Sequence, residues 1–129
     1  MAHCPCGLAR EYVQCCGRYH SGALHLQAPT PEALMRSRYS AYAMGLRTYV
    51  LDTWYEPTRP EHMERFDTRV KWLGQTVKRA WLTSEDEGFV EFVARSKEPG
   101  DGRAQRLEEL SRFVRVDGRW QYVNAAAPP

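Results

Sequence analysis

The sequence predicts an α+β fold preceded by a small cysteine-rich module. Three observations carry this. All four cysteines lie within the first sixteen of 129 residues. Apolar residues then recur at helical spacing, and beyond residue 71 the apolar period drops to about two, as strands require.

The N-terminal module comes first. Residues 1–29 offer few large apolar side chains (Leu8, Tyr12, Val13, Tyr19, Leu24, Leu26), too few to build a core, and segments this small usually need a disulfide or a metal. Cys4, Cys6, Cys15 and Cys16 form the pattern C-x-C-x8-C-C, which supplies the four ligands of a closed structural zinc site. Pro5-Cys6-Gly7 reads as a tight turn in which Gly7 admits positive φ. Residues 8–14 are expected to form about two helical turns that carry Cys15 and Cys16 to the metal. The alternatives are two disulfides running between the cysteine pairs, free thiols, or replacement of Cys16 by His20, with His3 as a further competitor, as fourth ligand. Residues 1–20 hold no apolar run of signal-peptide length, so a reducing, cytoplasmic setting and zinc are the expectation.

Residues 18–29 read as an irregular connector, which puts the boundary of the main domain, 30–129, at Thr30. Thr30-Pro31-Glu32 is a helix start, with Thr as N-cap, Pro at the first helical position and an acid in the first turn. Met35, Tyr39, Tyr42 and Leu46 share one face, and Gly45 marks the end. A second helix is expected over Thr48–Tyr55, closed by Pro57, and a third opening at Arg59-Pro60-Glu61 with Met63, Phe66 and Val70 on its apolar side. In the strand region, Val90, Phe92 and Ala94 alternate with Glu91, Val93 and Arg95. Leu107, Glu109, Ser111 and Phe113 alternate with their neighbours, and Trp120 and Tyr122 share a face of the last strand. Val116-Asp117-Gly118-Arg119 signals a two-residue type I′ hairpin; Glu85–Gly88 and Pro99–Gly102 are further turns. Helices followed by four strands on short loops argue an antiparallel meander.

Composition sets the outer bounds. Hydrophobic content of 43% is ample for a core, and no apolar run reaches 18 residues, so no membrane span is expected. Four thiolates and one divalent ion would bring the formal charge of +2 to about zero, which removes the simplest case for nucleic-acid binding.

Two resemblances extend this reading. Cys4-Pro5-Cys6-Gly7, Tyr12 and Cys15-Cys16-Gly17 resemble the SEC-C zinc-binding motif, departing from it at Leu8-Ala9, where that motif usually has Ser-Gly. Leu34-Met35-Arg36-Ser37-Arg38-Tyr39-Ser40-Ala41-Tyr42, Thr53-Trp54 with Arg59-Pro60, Ser111-Arg112-Phe113 and Gly118-Arg119-Trp120-x-Tyr122-Val123 are similar to the YchJ-like bacterial family, which joins a SEC-C motif to a domain like nuclear transport factor 2 (NTF2). The resemblance implies a cone of about three helices on a curved four-stranded antiparallel sheet, with a pocket at its open end. Where the family commonly has a histidine, this chain has Glu108.

Candidates for such a pocket are Arg36, Arg38, Tyr42, Trp54, Arg59, Arg112 and Trp120, with Tyr39, Glu91 and Glu109 beside them. Arginine near aromatic rings suits bidentate capture of a carboxylate or phosphate. The same aromatics also sit at core spacing, and Arg38 could instead pair with Glu109 or Glu91. Arg36 and Arg38, two residues apart, cannot share a helix face. No catalytic constellation is visible: the serines lack a G-x-S-x-G elbow, and four thiolates leave zinc no open position for water.

Three functions stay open: an adaptor or ligand-binding protein whose zinc module, through Arg10, Arg18 and Tyr19, meets a protein partner; an enzyme acting on a small polar substrate in the pocket; and single-stranded nucleic-acid binding with Tyr12 and Tyr19 as stacking surfaces.

Overall fold

The Thr30 hydroxyl accepts the Ala33 amide at 3.0 Å, and Gly45, at φ 74°, ends the turn in the left-handed region. Between them runs a 14-residue helix. It belongs to a computed structural model that describes residues 3–64, 66–67, 69–100 and 102–126. In chain order the α-helices are α1 (Gly17–His20), α2 (Pro31–Met44) and α3 (Arg47–Asp52), with single 3-10 turns at Tyr12–Gln14 and Glu56–Thr58. The strands β1 (Lys71–Ser84), β2 (Glu87–Lys97), β3 (Gln105–Val116) and β4 (Arg119–Ala125) follow. They pair antiparallel in the order β1-β2-β3-β4, the meander the sequence predicts.

The turns sit where local chemistry puts them. Asp117 and Gly118 both take positive φ, 52° and 80°, which a type I′ hairpin needs at its two central positions. Glu85 and Asp86 join β1 to β2, and Pro99 and Gly100 form a turn after β2; Asp101 of that expected turn lies outside the described residues.

Three local expectations are corrected. Residues 8–14 do not make two helical turns. The Cys4 amide donates to Arg10 O at 2.8 Å and His3 bridges Glu11 in antiparallel fashion, so the chain bends back on the first cysteine pair and only Tyr12–Gln14 forms a helical turn. The second helix is shorter than Thr48–Tyr55. Its C-terminal flank instead pairs with β4: the Tyr122 amide donates to Thr53 O at 2.8 Å and the Tyr55 amide to Tyr122 O at 2.7 Å. The helix expected from Arg59 does not form among the described residues 59–70. There Arg59 turns back to donate to Trp54 O, and Phe66 stacks on Tyr42 with ring centroids 4.9 Å apart. Arg65 and Thr68 lie outside the described residues.

The main core lies between α2 and the sheet, where Leu34, Met35, Tyr39, Val50, Val90, Phe92, Phe113 and Trp120 are buried together. Helix α2 touches β1, β2 and β4, so the sheet wraps around it. A bulge between Trp72 and Gly74 helps β1 bend. The Gly74 amide, turned toward α2, donates to the Tyr39 hydroxyl at 2.8 Å. The four cysteines form a second, separate cluster with Leu8 and Tyr12 packed against it. No described helix is long and apolar enough to cross a membrane.

Candidate metal centre and ligand cavity

Gly7, at φ 93°, turns the chain after Cys6, and α1 begins directly after Cys16. Between them the bent segment 7–11 brings the two cysteine pairs together. All four thiols are buried and unbridged, and their sulfurs lie within 4.8 Å of one another. Four ligands at about 2.3 Å around a tetrahedral metal would stand about 3.8 Å apart, so the cluster fits a metal with little movement. The thiols also perturb one another. Hydrogen bonds from Cys16 and Cys6 hold Cys4 well below the usual thiol range. Cys16 is pushed up as the partner in those bonds, and burial pushes Cys15 up to about 11. Four thiolates cannot share this space without a cation, which would reverse that balance. His20 is not in the cluster: its Nδ1 meets the Tyr12 hydroxyl at 2.6 Å and its Nε2 meets Ser37 O at 2.8 Å. His3 is exposed.

The cluster is tied to the main domain. The Cys4 sulfur lies 3.4 Å from the Ser40 hydroxyl of α2. Arg36 Nη1 and Gln75 Nε2 both donate to Cys6 O.

Two residues along α2 from Arg36, Arg38 points the other way, into a cavity of about 280 Å³ between α2 and the concave face of the sheet. Its walls are mostly apolar and aromatic, from Met35, Tyr39 and Tyr42 of α2 to Trp72, Phe92 and Phe113 of the strands. The polar groups are few and concentrated. Arg38 is only 6% exposed. Its Nη1 donates to Val50 O at 2.7 Å and to the Thr53 hydroxyl at 2.8 Å. The guanidinium lies 4.4 Å from the Tyr122 ring centroid and 5.1 Å from that of Trp54. Burial lowers the Arg38 pKa from its ordinary value, with Tyr42, Tyr122, Tyr49 and Glu109 acting in the opposite sense. Among the described residues no carboxylate pairs with it directly. Glu109 accepts from Ser111 Oγ and, at 3.2 Å, from the Tyr122 hydroxyl, both at Oε2. Burial and then the Glu109 charge push the Tyr122 pKa up. The Trp54 indole nitrogen is buried and has no hydrogen-bond partner among the described residues.

Of the seven pocket candidates, Arg38, Tyr42 and Trp54 line this cavity. Arg36 serves the cysteine module and pairs with Glu32 at 3.0 Å. Arg59 caps the Trp54 carbonyl. Arg112 pairs with Glu87 at 2.8 Å. Trp120 is buried under Arg115, whose guanidinium lies 5.4 Å from its ring. Of the companion candidates, Tyr39 and Glu109 line the cavity, whereas Glu91 pairs with Arg79. Glu108, at the family's histidine position, is exposed and pairs with Lys78 and Arg106. Sequence reasoning did not assign Ser111 and Tyr122 to Glu109, nor Gln75 and Ser40 to the cysteines. Strand alternation puts Ser111 on the face of Glu109, a usable signal; nothing in the sequence signals the other contacts.

Comparison with known proteins places this arrangement. Residues 30–125 match the family described as "YchJ, middle NTF2-like domain". The chain belongs to the YchJ family. It is 51% identical to a UPF0225 protein of Bordetella pertussis over 123 residues, 95% of this chain and 91% of that one. It is 54% identical over 127 residues to a UPF0225 protein of Chromobacterium violaceum, again with 95% and 91% covered. The solution structure of a SEC-C motif containing protein from Rhodopseudomonas palustris superposes with a TM-score of 0.82 at 32% identity, covering 99% of this chain and all of that one. The crystal structure of a SEC-C motif containing protein from Psychrobacter arcticus gives a TM-score of 0.77 at 25% identity, covering all of this chain and 85% of the other. This YchJ-family chain thus joins an NTF2-like domain to a cysteine cluster suited to a metal.

Proposed function

We propose that the chain is a zinc-binding protein whose NTF2-like domain takes up a small molecule in the cavity beneath α2. Zinc is favoured because an all-thiolate tetrahedral set suits soft metals and disfavours magnesium or calcium. With four protein ligands its role is structural, and such a site needs the reducing conditions of the cytoplasm. The observation that carries the ligand reading is Arg38. A guanidinium that is 6% exposed opens onto an aromatic cavity without a carboxylate partner among the described residues. Buried charges are costly unless paired, and mostly apolar cavities with a few convergent polar groups are the usual form of small-molecule sites.

Metal analysis of the protein purified under reducing conditions should return one zinc per chain. A fragment screen followed by amide and indole NMR should shift the Trp54 indole resonance, assigned with Trp54→Phe. A screen in which no fragment moves a cavity resonance overturns the ligand reading.

An adaptor role is favoured by a separate observation: a groove beside the cysteines is lined by Arg10 and Arg18, together with Arg36 and its ion-pair partner Glu32. A partner with an acidic segment would suit it. Unchanged co-purification of every native partner after Arg10→Ala and Arg18→Ala removes this reading.

A further inference from the structure

We infer that the cavity is built for a molecule with an anionic group and a hydrogen-bond donor on one small apolar, preferably aromatic, body. This rests on the cavity reading above and narrows it to a chemical class.

The anionic end follows from Arg38. Arg38 satisfies part of its guanidinium through Nη1 on Val50 O and Thr53 Oγ1, and its face stacks on Trp54 and Tyr122. Neither arrangement supplies the anion that a buried guanidinium calls for. The ring of Trp54 lies under that guanidinium, and its indole N–H is fully buried with no acceptor among the described residues, so the anion is left to Arg38. A carboxylate in the cavity can take donation from the guanidinium, and charge-assisted bonds of this kind are the stronger ones.

The donor follows from Glu109. Its Oε2 accepts from Ser111 and Tyr122, while Oε1 accepts from no described residue. Tyr122 fixes the spacing of the two ends, since its ring lies under Arg38 and its hydroxyl donates to Glu109. Charge also discriminates. An anion without a donor is repelled by Glu109, and a cation without an acid group by Arg38. A molecule carrying both groups meets both. The space of about 280 Å³ lies at the small end of ligand cavities, about 300–1,000 Å³, which suits a single ring.

The test uses the metal-loaded full chain and a defined probe series: the three aminobenzoate isomers, then benzoate (no donor), aniline (no anion) and benzene (neither). Binding is followed by NMR titration, with the Trp54 indole resonance as reporter. At least one aminobenzoate should bind about tenfold or more tightly than benzoate, aniline or benzene. Glu109→Gln, which keeps an oxygen for Ser111 and Tyr122, should bring that aminobenzoate down to the affinity of benzoate. Arg38→Lys should weaken the acids and leave benzene unchanged. If benzene and aniline bind as tightly as the aminobenzoates, the assigned class is wrong while the cavity reading stands. If no probe, benzene included, moves a cavity resonance, both fall.

Discussion

Arg36 and Gln75 meet at one atom: Arg36 Nη1 and Gln75 Nε2 each donate to the Cys6 carbonyl at 2.9 Å. One donor comes from α2 and the other from β1, so the cysteine module is tied to both layers of the domain through the residue at the centre of its first turn. Because the two donors share an acceptor, their removal should be non-additive. Arg36→Ala or Gln75→Ala alone leaves Cys6 O satisfied and should cost about 1 kcal/mol. The double variant orphans a buried carbonyl and should cost a further 1–3 kcal/mol, roughly. Urea denaturation of the four proteins in the cycle measures this, and strict additivity contradicts the shared clamp.

Metal removal should reach beyond the N-terminus. Binding energy at a structural thiolate site is folding energy, because the site does not exist in the unfolded chain. Cys4 contacts Ser40 and Cys6 contacts Arg36, both on the helix whose other face carries Arg38 and Tyr42 into the cavity. Chelation should therefore release one equivalent of metal, lower the melting temperature and broaden the resonances of Arg38 and Tyr42. Cys15→Ser should do the same without chelator. A chelated protein whose α2 resonances are unchanged would show that the module stands apart from the cavity.

Tyr39 offers a smaller and sharper case. Its hydroxyl is the acceptor for the Gly74 amide at the β1 bulge. Tyr39→Phe keeps the ring, which packs edge-on against Trp72, and removes only the acceptor. The Gly74 amide is part-buried, so the expected cost is about 0.5–1.5 kcal/mol, the net worth of one hydrogen bond. Hydrogen exchange at the Gly74 amide should accelerate by a larger factor than at other β1 amides.

What the sequence makes legible is local. Thr30 and Gly45 bound α2 because capping depends on one residue at each end. Asp117-Gly118 fixes the last hairpin because positive φ at two successive positions admits few residues. The cysteine spacing marks the cluster because two close pairs of thiols separated by a short segment can meet locally. What depends on long-range contact is not legible. Met63, Phe66 and Val70 have helical spacing, yet Phe66 is engaged by Tyr42 and Arg47 donates to Met63 O at 3.1 Å, so tertiary contacts override a short helical pattern. The arginines divide likewise. That Arg36 and Arg38 must face opposite ways follows from helix geometry, but which one enters a cavity depends on where the sheet lies. Arg59 and Arg112 read as equal candidates and are taken by a carbonyl and a carboxylate.

Thr53 tests how Arg38 is held. Its hydroxyl accepts from Arg38 Nη1 at 2.8 Å and lies 2.8 Å from Tyr49 O, to which it donates; the residue is 3% exposed. Thr53→Val keeps the shape and the β-branch but removes the Thr53 acceptor from Arg38 Nη1, which keeps its bond to Val50 O. The loss of a hydrogen bond to a buried charge should cost about 1.5–3 kcal/mol. Thr53→Ser, which restores the hydroxyl, should recover most of that, apart from the cost of one buried methyl, roughly 1 kcal/mol. Chemical denaturation of the three proteins separates the hydroxyl from the methyl. The same series, titrated with an aminobenzoate, should show weakened binding in Thr53→Val and near-normal binding in Thr53→Ser, because a guanidinium free to swing holds an anion less well. Equal stability and equal affinity for the two variants would mean that the Thr53 hydroxyl does not position Arg38.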